Sequence, residues 1–338
     1  MTPLTEQECS THAALVAHGD LDARIAATLP DPVAWLAYRA DWKRGAVERP
    51  FPLQLDFALN YSCNLRCPMC TWSDPDAVQG GRSSWMTLAL FKHILAEAVP
   101  KGLKAVGLNG INEPLMRRDL PDFVAAAREA GVLDIMLHTN GLLLIPAMAR
   151  GLIEAGLTRL LVSVDAVTQA TYDQIRVGGS LALVERNVDL FLEARGTRTL
   201  PVLGLCFVRM AVNAHEEATF VEHWATRADF FAIQSYLNPW AGRDDKAALA
   251  APGWTQPEGF VCAQPFMRMR LAHGGEVRPC CSFPGERITV GDAHRTPIEA
   301  IWHGTAMRDL RALHAANRGH EHPVCRDCMR NSYTQEIP

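Results

Sequence analysis

Cys63-Asn-Leu-Arg-Cys67-Pro-Met-Cys70 is the stretch that decides the fold of this chain. Three thiols at C-x3-C-x2-C spacing are one ligand short of the four that a cluster of four irons and four sulfides requires. A loop this tight can hold three corners of such a cluster and leave the fourth iron open to a small chelating molecule. Zinc is the alternative, but it takes a fourth ligand nearby, and the closest histidine, His93, lies in a predicted helix.

The composition is that of an ordinary globular protein. The chain has 338 residues, of which 48% are hydrophobic and 21% charged, enough for a barrel and an appended module. A net charge of −4 gives no basic field for nucleic acid. No apolar run reaches membrane-spanning length and no signal peptide is recognisable, so we expect no membrane partner. Ten cysteines in an unexported chain more often bind metal than form disulfides, which predicts a cytoplasmic enzyme.

After Phe51, short apolar strand candidates alternate with amphipathic helices. The predicted strands are Leu53–Leu59, Ala105–Leu108, Asp134–His138, Arg159–Val164, Val202–Val208 and Phe230–Ser235. Six strand–helix units in a row predict an α/β fold, a partial (β/α)6 TIM-like barrel with a parallel sheet. Functional groups in such barrels lie at the carboxyl ends of the strands. The cysteine stretch follows the first strand, as this geometry requires.

Changes in residue composition along the chain predict three parts. Residues 1–50 form a helical extension, in which a helix over Val33–Arg44 begins behind an Asp–Pro cap. Its large apolar side chains are expected to pack onto the main domain; they are Trp35, Leu36, Tyr38 and Trp42. Residues 51–245 form the barrel. A linker rich in Gly, Pro, Ala and Asp, Ala241–Gly259, leads to a cysteine-bearing module at 255–338.

The C-x3-C-x2-C stretch resembles the signature of the radical SAM superfamily. In that family the open iron is chelated by the amino and carboxylate groups of S-adenosylmethionine (SAM). One electron then cleaves SAM to methionine and a 5′-deoxyadenosyl radical, which abstracts hydrogen from a substrate. The resemblance implies a 4Fe-4S cluster on Cys63, Cys67 and Cys70, and an external one-electron donor such as flavodoxin or ferredoxin.

Later segments resemble the family's SAM-binding motifs. Gly110-Ile-Asn112-Glu113-Pro is similar to its Gly-x-Gly-Glu-Pro segment, with asparagine where glycine is usual. The resemblance implies that Glu113 accepts hydrogen bonds from the SAM amino group; the alternative is a solvated loop carboxylate. Met69 stands where many relatives carry an aromatic residue, and its backbone is implied to meet the adenine.

Two further SAM contacts follow from the same resemblance. Leu-Val-Ser163-Val-Asp resembles the family's fourth strand, whose serine contacts the SAM carboxylate or ribose. The segment that ends at Arg176 matches one whose arginine holds the carboxylate, a task suited to a planar guanidinium; a surface pair with Asp173 is the alternative. His138 ends the third strand, where either action on the substrate or a structural role is open.

A second cysteine set narrows the subgroup. Cys262-x17-Cys280-x44-Cys325-x2-Cys328, with Gly275 between the first two, resembles the SPASM group. With no cysteine after this set, it is similar to the shortened twitch domain of 2-deoxy-scyllo-inosamine dehydrogenase-like enzymes of aminoglycoside biosynthesis. The resemblance implies one fully ligated auxiliary 4Fe-4S cluster with a role in electron transfer; a structural zinc site is the alternative.

Three cysteines remain outside these sets. Cys9 and Cys206 are interpreted as packing residues. Cys281 has three open interpretations: a packing residue, the auxiliary ligand in place of Cys280, or a free thiol that returns a hydrogen atom to a substrate radical.

The resemblance implies a dehydrogenase that oxidises a secondary alcohol of a small sugar, aminocyclitol or sugar-nucleoside to a ketone. The auxiliary cluster would accept the surplus electron. Candidate catalytic or substrate-contacting residues at the ends of the last strands and in the linker are Arg209, Gln234, Tyr236 and Arg243. A redox-neutral epimerase with Cys281 as hydrogen donor, or a sugar-acid decarboxylase of antibiotic pathways, competes with this hypothesis. A peptide maturase is less favoured because the N-terminal segment is short for a leader-binding module, and a scaffold without activity is ranked last.

Overall fold

The computed structural model describes residues 13–17, 20–73, 85–236, 238, 240, 243–251 and 261–332. Its strands are β1 (Ala13–Ala17), β2 (Gln54–Phe57), β3 (Ala105–Leu108), β4 (Asp134–Thr139), β5 (Arg159–Ser163), β6 (Val202–Arg209), β7 (Phe230–Ser235), β8 (Arg268–Leu271), β9 (Glu276–Arg278) and β10 (Gly291–Asp292). Cys9 and part of the predicted linker Ala241–Gly259 lie outside the described residues.

Helices follow the strands as the apolar periodicity predicts. They are α1 (Leu21–Ala26), α2 (Pro32–Trp42), α3 (Leu88–Ala98), α4 (Leu120–Glu129), α5 (Pro146–Ala155), α6 (Gln169–Ile175), α7 (Leu181–Arg195), α8 (Glu217–Trp224), α9 (Asp244–Ala247), α10 (Gln264–Met267), α11 (Ile298–Trp302), α12 (Thr305–Ala315) and α13 (Pro323–Ser332). Side-chain caps set several starts: the Thr87 side chain accepts from the Leu90 amide before α3.

The six predicted barrel strands, β2 to β7, are all present and lie side by side in chain order. Every neighbouring pair among them is parallel. The α/β fold and its mainly parallel barrel sheet are therefore confirmed. Alternation along each strand separates two faces: in β2, Leu55 and Phe57 belong to the main apolar core, where β2 packs with the helices. Gln54 and Asp56 point the other way, into the barrel.

The N-terminal segment closes the amino-terminal end of the barrel. Trp35, Tyr38 and Trp42 of α2 are buried in one cluster with inward-facing barrel residues. The Tyr38 hydroxyl donates to Asp134 Oδ2 at 3.0 Å, at the first residue of β4. The predicted packing of α2 is thus observed for these three side chains, whereas Leu36 is 46% exposed and faces away.

The helical interpretation of residues 1–50 is wrong at Ala13–Ala17, which form β1 and pair antiparallel with β7. The edge of β7 offers unpaired backbone N–H and C=O groups, and a partner strand satisfies them. Local periodicity cannot show such an edge, because the partner lies more than 200 residues further along the chain.

The C-terminal module continues the barrel sheet. Its first strand, β8, pairs parallel with β2, and β9 and β10 add antiparallel beyond it. The ring of His273, in the β8–β9 turn, stacks on Tyr61 with centroids 5.3 Å apart. The boundaries 51–245 and 255–338 stay predictions, since one sheet runs through both. Among the described residues, no helix is long and apolar enough to cross a membrane.

Candidate functional site

The loop with the first three cysteines leaves the carboxyl end of β2 and is held from two sides. The Leu65 amide donates to Cys63 Sγ at 3.5 Å, and the Cys70 amide to the Cys67 carbonyl at 2.9 Å. Lys246 of α9 donates from Nζ to the Pro68 carbonyl at 2.9 Å. The three thiols therefore lie on a loop that is fixed by its own backbone and by Lys246, which follows the last barrel strand.

The donor set of this loop fits an iron–sulfur cluster. Burial raises the pKa of Cys63 to about 12 and that of Cys70 to about 11, with the Glu113 charge and neighbouring thiolates also raising the pKa of Cys63. Such thiols are protonated until a cation binds and displaces the protons. Among the described residues, no three Cys, His, Asp or Glu side chains converge on one metal ion. Thiolates that bind separate irons of a cluster lie further apart than thiolates that share a single zinc ion.

Glu113 is buried at the end of a loop after β3, so it is not a solvated loop carboxylate. Its Oε1 accepts from Thr139 Oγ1 at 2.7 Å and from the Leu115 amide at 3.0 Å. Its Oε2 accepts from the Asn140 amide at 2.8 Å. Burial raises the pKa of Glu113, and these hydrogen bonds oppose the rise. The carboxylate is thereby held in one orientation beside the cysteine loop.

Arg176 follows α6 and enters the same region. Its guanidinium forms an ion pair with the fully buried Asp165 and lies 3.9 Å, Nη1 to Sγ, from Cys67. Asp165 has a φ of 66°, rare for a non-glycine residue, and accepts from the Val208 amide at 2.7 Å. The alternative pair with Asp173 is not formed; that carboxylate accepts from Gln169 instead. A buried cation thus faces the cysteine loop.

Gly110 is required by close packing. A Cβ at this position would lie 2.6 Å from Ala58 Cβ and 2.7 Å from Arg270 Nη2. Asn112 donates from Nδ2 to Asn60 Oδ1 at 2.6 Å, while its own Oδ1 is buried with no hydrogen-bond partner among the described residues. The asparagine that replaces the usual glycine therefore fits, and leaves one acceptor unused. Met69 is buried in an apolar cluster around the cysteine loop.

Four polar side chains at the carboxyl ends of strands line the inside of the barrel, which we call the inner chamber. They are Asn109, His138, Ser163 and Gln234. Their neighbours Leu108, Leu137, Val162 and Ile233 belong to the core beneath the helices, so alternation turns these four inward. None of the four side chains has a hydrogen-bond or ion-pair partner within the part of the chain that the structure describes.

Ion pairs also lie inside the barrel, and the one between Asp134 and Arg159 is at the amino-terminal ends of its strands. Asp56 pairs with Arg268 of β8 at 3.3 Å, and Asp134 pairs with Arg159. Arg270 of β8 pairs with Glu286 at 2.5 Å. Among the described residues, Arg159, Arg268 and Arg270 are therefore each paired with a carboxylate.

His138 is held neutral in this chamber. Burial and the positive charges of Arg159 and Arg268 lower the pKa of His138 from 6.5 to about 4. A neutral imidazole offers one acceptor nitrogen and one N–H donor.

This shift predicts a loss of stability in mild acid. A depressed pKa contributes stability that is present above the unfolded pKa and lost as the pH falls towards the folded one. We therefore expect His138 alone to lower the free energy of unfolding by about 2 kcal/mol between pH 7 and 5. Urea denaturation at both pH values should show a smaller decrease for His138→Gln than for the wild type. His93→Gln, at an exposed site, is the control and should lose as much stability between pH 7 and 5 as the wild type. If His138→Gln loses as much as this control, the lowered pKa of His138 is contradicted.

The second cysteine set is assembled by α13 and the loop after β9. Cys325 and Cys328 lie one turn apart on α13, on the same face. Arg287 in the loop pairs with Asp327 of α13 at 3.2 Å. A Cβ on Gly285 would lie 2.3 Å from Cys280 Sγ, so only glycine lets the thiol sit there.

The four thiols of this set lie close enough for the charge of one to change the pKa of another. Burial raises the pKa of Cys262, and Cys280, Cys328 and Cys325 raise it further. Cys281 is not among these neighbours; its Sγ lies 3.5 Å from Gln264 Oε1 and 3.6 Å from Arg268 Nη1. The geometry therefore favours Cys280 over Cys281 as the ligand and places Cys281 beside Arg268, the first residue of β8.

The four substrate-contact candidates from the last strands and the linker lie in different places. Gln234 faces the chamber, but Arg209 forms a pair with Glu217 outside it. Arg243 is held by Asp245 at the exposed start of α9. Tyr236 is buried in the apolar cluster around the cysteine loop, and its hydroxyl donates to Asn238 at 3.4 Å. The structure thus brings one of these four candidates, Gln234, to the chamber.

Three residues of the site were missed by the sequence analysis. Asn109 was passed over as part of the turn before the Gly110 motif. Arg268 and Arg270 alternate with buried Met267, Met269 and Leu271, and this pattern of charge and apolar residues was a usable signal for a strand with a functional inner face.

Two regions of the sequence match described families. Residues 59–210 match the radical SAM superfamily, and residues 262–329 match SPASM, an iron-sulfur cluster-binding domain. The chain thus carries a radical SAM domain and an iron-sulfur cluster-binding SPASM domain. Its cofactors are accordingly a 4Fe-4S cluster and SAM in the barrel and auxiliary iron–sulfur binding in the SPASM domain. Radical SAM enzymes act with an external electron donor.

The proteins that are similar to this chain carry names that describe different activities and ligands. A probable GTP 3′,8-cyclase of Methanococcus maripaludis is 31% identical over 131 residues, 39% of this chain and 42% of that protein. The chain thus aligns with less than half of that relative's length. The crystal structure of BtrN in complex with AdoMet and 2-DOIA superposes with a TM-score of 0.56 at 16% identity, over 84% of this chain and 94% of that one. The anSMEcpe structure with AdoMet and the Cp18Cys peptide gives 0.60 at 13% identity, over 84% and 91%. These two structural similarities show the fold.

Proposed function

We propose that this radical SAM enzyme oxidises a secondary alcohol of a small sugar, aminocyclitol or sugar-nucleoside to a ketone. The observation that carries the proposal is the inner chamber, whose neutral polar side chains have no hydrogen-bond or ion-pair partner among the residues that the structure describes. Hydroxyl groups of a substrate are the natural partners for such donors and acceptors. The chamber also lies next to the proposed SAM site, since Arg270 of β8 adjoins Gly110.

The cofactor contacts in this proposal follow the family motifs. Cys63, Cys67 and Cys70 hold the SAM-binding cluster. SAM lies against the carboxylate of Glu113, the backbone at Gly110, Asn112 and Met69, the hydroxyl of Ser163 and the cation of Arg176. One auxiliary cluster is held by Cys262, Cys280, Cys325 and Cys328. When bound, these groups supply the 5′-deoxyadenosyl radical and an electron acceptor.

Within the proposal, this chain's own residues orient and shield the reactants. The buried pair of Arg176 and Asp165 fixes a cation beside the cysteine loop, and the α2 side chains close the barrel floor against water. We further propose a cytoplasmic location, a flavodoxin or ferredoxin as electron donor, and a place in antibiotic biosynthesis.

Glu113→Gln is expected to weaken SAM binding about ten- to a hundredfold. The replacement removes a charge-assisted hydrogen bond worth about 1.5–3 kcal/mol. It also turns an amide N–H₂ towards the Thr139 or Asn140 donor. Calorimetric titration of the reconstituted protein with SAM measures the change. Glu129→Gln, at an exposed position of α4, is the matched control. A SAM affinity equal to that of the control would contradict the role of Glu113.

The proposed reaction is tested by product mass after anaerobic turnover in deuterated water. The enzyme receives reductant, SAM and a panel of aminocyclitols, amino sugars and sugar-nucleosides. Loss of two hydrogens, with one 5′-deoxyadenosine per product, is the expected result. Loss of carbon dioxide would replace the dehydrogenase with a decarboxylase. Turnover restricted to peptides would indicate a maturase.

A redox-neutral epimerase is the second candidate, and it would use the thiol of Cys281. This thiol stands outside the set of four and would return a hydrogen atom to a substrate radical. Carbon-bound deuterium in an otherwise unchanged molecule would support this reaction. Cys281→Ala should then abolish deuterium incorporation while both iron–sulfur sites stay loaded; incorporation that persists would exclude Cys281 as the donor.

A further inference from the structure

We propose that His138 accepts the proton of the substrate hydroxyl during the oxidation, and that Asn109 and Gln234 bind the other hydroxyls. This inference rests on the proposed function and assigns its proton acceptor and its substrate class. It is carried by the arrangement of the inner chamber: an imidazole and two amides face its interior, and none of the three has a hydrogen-bond partner among the described residues.

The position of His138 is fixed by the register of the sheet. His138 lies beside Leu161 of β5, one residue before the carboxyl end of β4. The next residues, Thr139 and Asn140, bind the Glu113 carboxylate. The imidazole is therefore within two residues of the contact that orients the proposed SAM ligand, and its own nitrogens are unused among the described residues.

Burial and the facing charges keep His138 neutral before the reaction. Burial disfavours the imidazolium most, and Arg159 from β5 and Arg268 from β8 disfavour it further, so an accepted proton is readily released. Asp134 and Asp56 pair with these two arginines. Because the imidazole is neutral throughout the neutral pH range, one nitrogen is always available as an acceptor.

The oxidation then balances in atoms and electrons. Bound SAM would supply the radical that takes a hydrogen atom from the carbinol carbon and so breaks the C–H bond, and the auxiliary iron–sulfur site would accept the surplus electron. His138 takes the hydroxyl proton, and the C–O bond becomes a C=O bond. His138 returns its proton to solvent after the product leaves.

The same chamber selects against polyphosphates. Arg159, Arg268 and Arg270 are each paired with a carboxylate, and the other groups that face the ligand are amides, a hydroxyl and a neutral imidazole. A triphosphate needs cations that are not already compensated. The chamber therefore fits a hydroxyl-rich, unphosphorylated molecule, in contrast to the GTP in the name of the similar cyclases.

The first experiment measures binding without turnover. Reconstituted protein with SAM but no reductant is titrated with 2-deoxy-scyllo-inosamine and, separately, with GTP. We expect the aminocyclitol to bind, with affinity lowered about two- to tenfold in Asn109→Ala and in Gln234→Ala. His138→Gln keeps a hydrogen-bond acceptor and should bind within about threefold of the wild type. Tighter binding of GTP than of the aminocyclitol, or wild-type affinity in both amide variants, would overturn the substrate class.

The second experiment adds reductant and compares two products. In His138→Gln, ketone formation should fall about 10²- to 10⁴-fold, the usual contribution of a general base. Substrate-dependent 5′-deoxyadenosine formation should continue, so its ratio to ketone rises. The residual rate should increase with pH, as hydroxide replaces the base. His93→Gln, on the exposed face of α3, should behave as the wild type. Ketone formation near the wild-type rate in His138→Gln, or loss of substrate binding together with turnover, would overturn the role of His138 as the base.

Failure of the proposed function has a different signature. If the wild type makes no ketone from any member of the panel, the oxidation itself is wrong and His138 has no such proton to accept. The binding titrations still decide whether the inner chamber holds hydroxyl-rich molecules.

Discussion

Replacing Cys63, Cys67 and Cys70 together by alanine is expected to abolish reductive cleavage of SAM and to leave the C-terminal cysteine site loaded. The two sets share no ligand, and each is built by its own part of the fold. Iron content should therefore fall from about eight to about four atoms per chain. Iron and sulfide analysis of the anaerobically reconstituted variant, with a 5′-deoxyadenosine assay under dithionite, measures both effects.

Cys206→Ala is the matched control for this triple variant. Cys206 is a buried cysteine that faces the barrel from β6 and belongs to neither set. It should retain full iron content and SAM cleavage. If the triple variant loses all its iron, the two sites are not independent; if it still cleaves SAM, these cysteines do not hold the catalytic cluster.

The second large effect concerns the ion pair of Arg176 and Asp165. Arg176→Met should lower the free energy of unfolding by about 3–5 kcal/mol, because it leaves a fully buried carboxylate without its cation. It should also weaken SAM binding, since the guanidinium faces the cysteine loop. Urea denaturation and SAM titration of the same preparation separate the two effects.

An exposed pair supplies the comparison. Arg318 and Glu321 form a salt bridge with both side chains exposed, and Arg318→Met should leave the urea midpoint close to that of the wild type. Adding Asp165→Asn to Arg176→Met should restore part of the lost stability, since the uncompensated charge is removed. Equal small losses in Arg176→Met and Arg318→Met would mean that the pair of Arg176 and Asp165 is not buried in solution.

The barrel strands were predictable because each carries its signal within a few residues. Runs such as the one at Arg159–Ser163 are apolar, short and flanked by turns, and β3 and β7 begin and end at the predicted residues. The position of the first cysteine set was predictable for the same reason, because it depends only on the end of β2. Glu113 was found by its motif, although its burial and its three hydrogen bonds were not visible in the sequence.

Other features depended on contacts between distant segments. β1 forms because the edge of β7 lacks a partner, and β8 joins β2 across more than 200 residues. The assignment of Arg243 to the substrate rested on its place in the chain and stays a prediction, and the structure shows its guanidinium paired with Asp245 at the exposed start of α9.

By itself, the sequence determined the cysteine spacing, the strand–helix order and the SAM motif, since each of these is local. Tertiary structure alone decided which polar groups lack partners, which arginines are compensated and which side of the module Cys281 faces. The physical reason is that a hydrogen bond, an ion pair or a desolvation penalty belongs to two groups at once. For His138, the strands that supply those neighbours, β5 and β8, begin about 20 and 130 residues away in the chain.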